Sequence, residues 1–533
     1  MYKRIKILSV CFLIIMGLLA LRVGYIQILG HEDLSTAAKM QQNIVLEGAD
    51  TRSVIYDRNG TPIAGDNQEY IYIIRTEKYD GETQNALNEV DAVEIPNENS
   101  GYKVFASQEY NKRTGNRLIE NSEAYILKAA RRYQPDQTAV HMVGYINQKD
   151  GRGASGLELL YDEELSAYMK KVMAPADVQG YLLQGYGLTV DNAAETDNYI
   201  MDGITTTLES GLQQEAERIL NECDKNGAIV VVKADNGEIM AAASTPVFDP
   251  TRIKDYIDSD NGEFINKVIQ GTYPPGSVFK IIVAAAALEA GIGPDRTFEC
   301  KGKEIINGHA VKCETGGETG HGKISFTRAF AESCNCAFIQ LGKQLGADAI
   351  IEMAERFGLG KTVLDDFPGE QTGNVMTVQD SQGAAIANLS IGQGELLVTP
   401  IQVAAMTAVV ANDGVNPGIK IVSGDNTDSV VIEPEVTAKL KNMMEETIIS
   451  GTGKGLELPV SAGAKTGSAE SVQNGRKVIH GWMTGYVPAE SPQYVITVFT
   501  ENGRSGRASA GPVFSQVVNH LYENGLLEYE TAF

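Results

Sequence analysis

Ser277 and Lys280 stand three residues apart in YPPGSVFK, at the head of the apolar run IIVAAAALEAG. Positions i and i+3 of a helix share a face, so this hydroxyl and this amine can meet. A serine hydroxyl attacks poorly until a base takes its proton. Burial disfavours a charged amine and depresses its pKa, so a lysine sunk in the apolar run can be that base. Pro274, Pro275 and Gly276 set a helix start at Ser277, where developing negative charge is favoured. Alone, the pattern is common and better describes a surface serine and lysine on an ordinary helix. Two distant groups give it context. Ser333-Cys334-Asn335, in AFAESCNCAFIQLG, offers a second hydroxyl and an amide inside a helical region. Lys465-Thr466-Gly467-Ser468, in SAGAKTGSAES, offers an amine and two hydroxyls, a set suited to gripping a carboxylate. Its small neighbours let a second backbone approach closely. Together the three groups match an S-x-x-K, S-D-N, K-T-G set built around a serine nucleophile, with Cys334 in place of the Asp.

These groups need a scaffold that joins distant segments. TTTLESGLQQEAERIL (205–220) reads as a strand and an amphipathic helix, and GAIVVVKADNGEIMAAAS (227–244) as a hairpin turning at Asp-Asn-Gly. Helices dominate from 279 to 411, strands return at 478–488 and 493–503, and a final helix covers 512–527. Strands at both ends of a helical middle imply one sheet built from both ends, with an all-helical subdomain inserted. The expected fold is mixed α+β and α/β, with a mainly antiparallel central sheet flanked by helices in a domain spanning 203–533. Upstream, 31–202 reads as a separate, elongated mixed domain. Within it, 51–67 is a strand, an Asn-Gly turn and a strand; 80–101 is an acidic loop; 120–133 has helical spacing; and 141–165 is glycine-rich and runs into a helix.

The chain has 533 residues and a net charge of -24, which argues against nucleic acid as a partner. Lys3, Arg4 and Lys6 precede an apolar stretch from Ile7 to Leu21 that continues to Leu29. This is long enough to cross a bilayer. A cleaved signal peptide is the rival reading, but LALRVGYIQ makes a poor small-x-small site, so residues 1–30 read as an uncleaved transmembrane anchor with a cytoplasmic N-terminus and the rest of the chain outside. In that setting Cys300 and Cys313, which bracket a short polar loop, are the expected disulfide. Cys334-Asn335-Cys336 lacks a second ligand pair at zinc-site spacing and reads as small buried thiols. His321 reads as a turn residue, SGTGKG (450–455) as a loop, and Trp482 as packing.

With all three groups in place, the chain resembles the class B penicillin-binding proteins, the peptidoglycan D,D-transpeptidases. YPPGSVFK, SCN and KTGSAE resemble the family's three motifs; GAIVVVKADNGEIMAAASTPVFDP and SIGQGELLVTPIQVAAM resemble segments of its catalytic domain; DRNGTPIA and HMVGY…GASGLELLYDEEL resemble its N-terminal pedestal. The resemblance implies that Ser277 attacks the terminal D-Ala-D-Ala bond of a stem peptide while Lys280 takes its proton. Ser333 and Asn335 would pass protons and orient substrate, and Lys465, Thr466, Gly467 and Ser468 would bind the terminal carboxylate. Backbone N–H groups of Ser277 and Ser468 would form the oxyanion hole. An amine from a second stem peptide would then resolve the acyl-enzyme, and a β-lactam would acylate the same serine. No metal or organic cofactor is implied, and a membrane glycan polymerase is the implied partner. The last motif position is Ser468 where many members carry Thr, which keeps the hydroxyl. No acidic E-D-x-x-F-x-x-H pattern of a glycosyltransferase lies between 30 and 203. A D,D-carboxypeptidase and a non-catalytic scaffold of a wall-synthesis complex are the alternatives; the intact motif residues argue against the scaffold.

Overall fold

The computed structural model describes residues 52–65, 67–95, 101–147, 151–166, 203–306, 308–381, 383–424, 428–473 and 475–528, with strands at 43–45, 170–175 and 189–192 and five positions between 12 and 19. The expected anchor, 1–30, lies almost wholly outside the described residues; Phe12, Ile14, Met16 and Leu19 are helical and exposed. Among the described residues no helix is long and apolar enough to cross a membrane.

The chain divides into two units. The first comprises 1–53, 65–132 and 166–200; the second comprises 54–64, 133–165 and 201–533. Two stretches read from sequence as upstream domain, 54–64 and 133–165, thus cluster with the C-terminal body. Backbone pairing explains the first of these. Ile55–Tyr56 pairs antiparallel with Pro62–Ala64 and parallel with Ile204–Thr205. The Asn-Gly turn between the two short strands is closed by Asp57, whose Oδ1 accepts from the N–H groups of Asn59 and Thr61.

In the first unit a four-stranded antiparallel sheet has the order Val93–Ile95, Tyr102–Ser107, Asn67–Arg75, Tyr125–Arg131. Two expectations fail here. The acidic segment after Asp80 is a helix, Gly81–Asn88, because the Asp80 carboxylate caps it by accepting from Thr83 N–H at 2.8 Å and because Ala86 and Leu87 bury against Tyr72 and Phe105. The segment 120–133 is not helical throughout. The helix is Lys112–Ser122, ended by Glu123 at φ 51, and Tyr125–Arg131 is a strand hydrogen-bonded to 67–73. A partner strand outweighs local helical spacing.

The second unit is built on a five-stranded sheet. Its strands are β1 (Gly227–Lys233), β2 (Ile239–Ser244), β3 (Gly463–Gln473), β4 (Arg476–Val487) and β5 (Tyr494–Thr500), in the order β2-β1-β5-β4-β3, all antiparallel. Both ends of the domain contribute strands, as the sequence implied. Strand residues alternate between two cores. Ile229, Val231 and Ile496 face α1 (Ser210–Glu222) and α7 (Gly511–Glu523). Ala228, Val230 and Val495 face the larger core with α2 (Lys280–Glu289) and α5 (Pro400–Ala411). Burial on both faces is why β1 reads as an unbroken apolar run. Between β2 and β3 lie also α3 (Phe326–Ala331), α4 (Asn335–Leu345) and α6 (Pro434–Ile449). The inserted region is not all helical: Thr297–Cys300 pairs with Gly322–Ser325, and Lys303–Ile306 with His309–Lys312.

Helix α2 settles whether the chain can hold a dry lysine. Residues 280 to 288 of α2 are all buried. Moving a lysine from its usual pKa to about 8 corresponds to roughly 3 kcal/mol. Burying Ile281, Ile282 and Val283, each fully inaccessible, contributes roughly 1.5–3 kcal/mol apiece, a size that offsets such a cost.

Candidate active site

Ser277 lies in a single helical turn, Gly276–Phe279, that leads directly into α2. Gly276 adopts φ +54, and a Cβ there would lie 2.6 Å from the Ser468 carbonyl. Glycine therefore lets the turn press against β3. From the other side, Gly392 accepts from Gly276 N–H at 2.8 Å, and Trp482, fully buried on β4, donates from Nε1 to the Pro274 carbonyl at 3.0 Å. The turn is thus held by a glycine contact, a loop and an indole.

Ser333 sits at the break between α3 and α4. Its φ is +55, a left-handed conformation that costs a residue with a Cβ roughly 1–2 kcal/mol. The N–H groups of Ser333 and Cys334 close the end of α3 on Phe330 and Ala329, so the serine stands where a helix usually ends in glycine. The break aims Ser333 at both lysines. Lys280 Nζ donates to Ser333 Oγ at 3.2 Å, to the Ser333 carbonyl at 2.8 Å and to Asn335 Oδ1 at 2.7 Å. Lys465 Nζ donates to the same Ser333 Oγ at 3.1 Å and to the Thr466 carbonyl at 2.9 Å. Both lysines are inaccessible to solvent. Burial lowers Lys280 to about 8, partly opposed by Cys334, Cys313 and Glu314. Burial, and then the charge of Lys280, holds Lys465 well below the ordinary lysine range.

Lys465 to Ser468 lie on β3, an edge strand of the sheet, with Lys465 opposite Thr484 and Ser468 opposite Gly481. Among the described residues only β4 pairs with it, so the other edge can take an extended peptide. Gly467 packs without a side chain against Val278 and Trp482. Ser468 Oγ accepts from Gly506 N–H at 3.1 Å. A cleft of about 1320 Å³ opens over this edge, lined by Ser277, Ser333, Asn335, Thr466 and Ser468 among others. Lys280 and Lys465 lie behind it. All eight residues named from sequence therefore converge. One sequence expectation is relaxed: among the described residues Ser277 Oγ makes no hydrogen bond, and Lys280 faces Ser333 and Asn335 instead. Such contacts tighten when substrate binds.

Three supporting residues were not assigned to the site from sequence, although Trp482 was expected to be packing and is fully buried. Thr452, in the SGTGKG loop, shares a 2.6 Å hydrogen bond with Thr466. Trp482 and Gly392 brace the nucleophile turn. Only the small-residue run around 392 could have pointed to such a close approach. The expected Cys300–Cys313 disulfide is absent. Both are free and buried, because Cys313 Sγ turns instead toward Cys334 and His321.

Residues 227–519 match the family described as the penicillin binding protein transpeptidase domain. The chain belongs to this family. The transpeptidase domain thus contains β1 to β5, all three motifs and most of α7. Stage V sporulation protein D of Bacillus subtilis is 28% identical, covering 99% of this chain and 86% of that protein. The peptidoglycan D,D-transpeptidase MrdA of Acinetobacter baumannii is also 28% identical, covering 98% and 89%. The penicillin-binding protein PBP2 of Helicobacter pylori, in its complex with MreC, superposes with a TM-score of 0.69 at 22% identity, covering 91% of this chain and all of that one. That likeness extends the shared fold beyond the transpeptidase domain.

Proposed function

We propose that this penicillin-binding protein is a peptidoglycan D,D-transpeptidase working through an acyl-enzyme at Ser277. The observation that carries the reading is the bridge at Ser333 Oγ, which accepts from Lys280 at 3.2 Å and Lys465 at 3.1 Å. A hydroxyl has two acceptor sites and one donor. With both acceptor sites filled, the Ser333 proton is left to point into the cleft.

The steps follow from this arrangement. The donor stem peptide lies along the free edge of β3, its terminal carboxylate at Thr466, Ser468 and Lys465. The carboxylate favours the charged form of Lys465 and draws a proton onto it. Lys280, whose neutral form burial favours, takes the Ser277 proton as Oγ attacks the carbonyl carbon of the penultimate D-Ala. The N–H groups of Ser277 and Ser468 receive the oxyanion. The C–N bond then breaks, Ser333 hands its proton to the departing D-Ala nitrogen, and Lys280 restores it. An acceptor amine attacks the ester, and the same relay runs in reverse to form the cross-link. A β-lactam enters by the first half of this path and stops at the ester.

The exposed apolar helix positions near residues 12 to 19 and the preceding Lys3, Arg4 and Lys6 support an anchor with a cytoplasmic N-terminus and an extracytoplasmic catalytic domain. A membrane glycan polymerase is the partner that this placement suits, since it would supply the strands to be joined.

The purified chain, given a D-Ala-D-Ala stem peptide and an excess of acceptor amine, is expected to form the amide cross-link and release D-Ala. Release of D-Ala with only the hydrolysed peptide, at every acceptor concentration, would make the protein a carboxypeptidase.

A further inference from the structure

Behind Ser333, away from the cleft surface, four ligand-bearing side chains meet. The sulfur atoms of Cys300, Cys313 and Cys334 and an imidazole nitrogen of His321 lie within 4.8 Å of one another. We propose that these residues bind a structural zinc ion that ties the two β-ribbons of the inserted region to the turn carrying Ser333 and Asn335.

The spacing decides between an ion and a disulfide. A disulfide needs sulfurs about 2.0 Å apart. Cys313 Sγ is 3.7 Å from Cys334 Sγ and 3.7 Å from His321 Nδ1. Around a tetrahedral zinc with Zn–S near 2.3 Å and Zn–N near 2.0 Å, neighbouring ligand atoms stand about 3.5–3.8 Å apart. The donor chemistry agrees, since three thiolates with one imidazole select zinc over the harder divalent ions. All three cysteines are at most 1% exposed. Neither ring nitrogen of His321 has an oxygen or nitrogen partner among the described residues. The nitrogen that faces the sulfurs, Nδ1, is thus available to ligate.

The local chain is shaped to bring these groups together. Cys300 ends one strand, Cys313 follows a second, and His321 precedes a third. Glycine permits the closure: a Cβ on Gly320 would lie 2.1 Å from the Cys300 carbonyl, and one on Gly316 would lie 2.9 Å from His321 Nδ1. Cys334 comes from the helix break itself, flanked by the two residues that receive hydrogen bonds from Lys280. The ribbon already reaches this turn through Asn335 Nδ2, which donates to the Lys312 carbonyl at 3.0 Å. An ion adds a second tie one residue away. Each thiol releases its proton to solvent on ligation, and the bound thiolates are kept from pairing in an oxidising compartment. The ion takes no part in acyl transfer; its ligands are positioning residues for Ser333 and Asn335.

The test is metal analysis of the full chain, extracted in detergent without chelator. About one zinc per chain is expected, with no disulfide among these cysteines by non-reducing mass spectrometry. Cys313→Ser and His321→Ala should lose the metal to a competing chelator on the order of tenfold or more readily, while Cys223→Ser, a thiol packed against the other core, should retain it. Cobalt(II) in place of zinc should give a tetrahedral spectrum with thiolate charge transfer. Folded protein without metal, a Cys313–Cys334 disulfide, or zinc held equally well by Cys313→Ser and His321→Ala would overturn the proposal. If Cys313→Ser does not fold, the wild-type cobalt spectrum decides, and an octahedral spectrum lacking the thiolate band refutes the site. None of these readouts depends on acyl transfer, so they stand or fall apart from the proposed activity.

Discussion

Ser333 carries two separable loads, a left-handed backbone and a bridging hydroxyl, and a pair of substitutions pulls them apart. Ser333→Ala and Ser333→Gly both remove the oxygen that accepts from Lys280 and Lys465. Each lost bond to an amine is worth about 1–2 kcal/mol, the same in both variants. The backbone term differs. At φ +55 the alanine keeps a penalty of roughly 1–2 kcal/mol that glycine escapes. Glycine gives back roughly 0.4–1 kcal/mol through its freer unfolded chain. The glycine variant is therefore expected to be more stable than the alanine variant by about 0.5–1 kcal/mol. Both should acylate about 10²-fold or more slowly, as loss of a proton relay requires. Denaturant melts give the first quantity, and the second-order rate of labelling by a fluorescent penicillin gives the second. If Ser333→Ala labels within about twofold of wild type, the hydroxyl is no relay; if the alanine variant is the more stable, the left-handed turn is not strained as argued.

Two further outcomes follow from the same geometry. Lys280 must be neutral to accept a proton, and burial sets it at about 8. The neutral fraction grows as pH rises, so acylation should climb about tenfold per pH unit below about 8 and level off above it; a flat profile between about pH 6 and 8 would remove Lys280 as the base. Gly392→Ala would place a Cβ 2.1 Å from the Gly276 carbonyl at φ +71. It should destabilise the domain by about 2 kcal/mol or more and slow labelling, because the nucleophile turn must shift; unchanged melting and labelling would show that the loop does not brace Ser277.

How much of this could be read from the chain depends on how local each signal is. The hairpin β1–β2 was legible because its turn and both apolar strands are contiguous. The lysine at the base of α2 was legible because its neighbours in sequence are also its neighbours in space. The strand Tyr125–Arg131 was not, since its partner at 67–73 supplies hydrogen bonds that local spacing does not reveal. Asp80 was read as part of an acidic loop, although one carboxylate at a helix start fixes the next eight residues. The convergence of Cys300, Cys313, His321 and Cys334 was hidden for a related reason. Their intervals match no zinc motif because the ligands come from three strand ends and a helix break. Thr452 was invisible because it meets Thr466 only when the loop after α6 folds back onto β3.

Peptide mapping of the protein labelled with a fluorescent penicillin tests the central claim most directly. The account predicts one modified peptide, carrying the adduct on Ser277, and no covalent label in Ser277→Ala that otherwise melts like wild type. Equal labelling of Ser277→Ala, or an adduct mapped to Ser333 or Ser468, would contradict it.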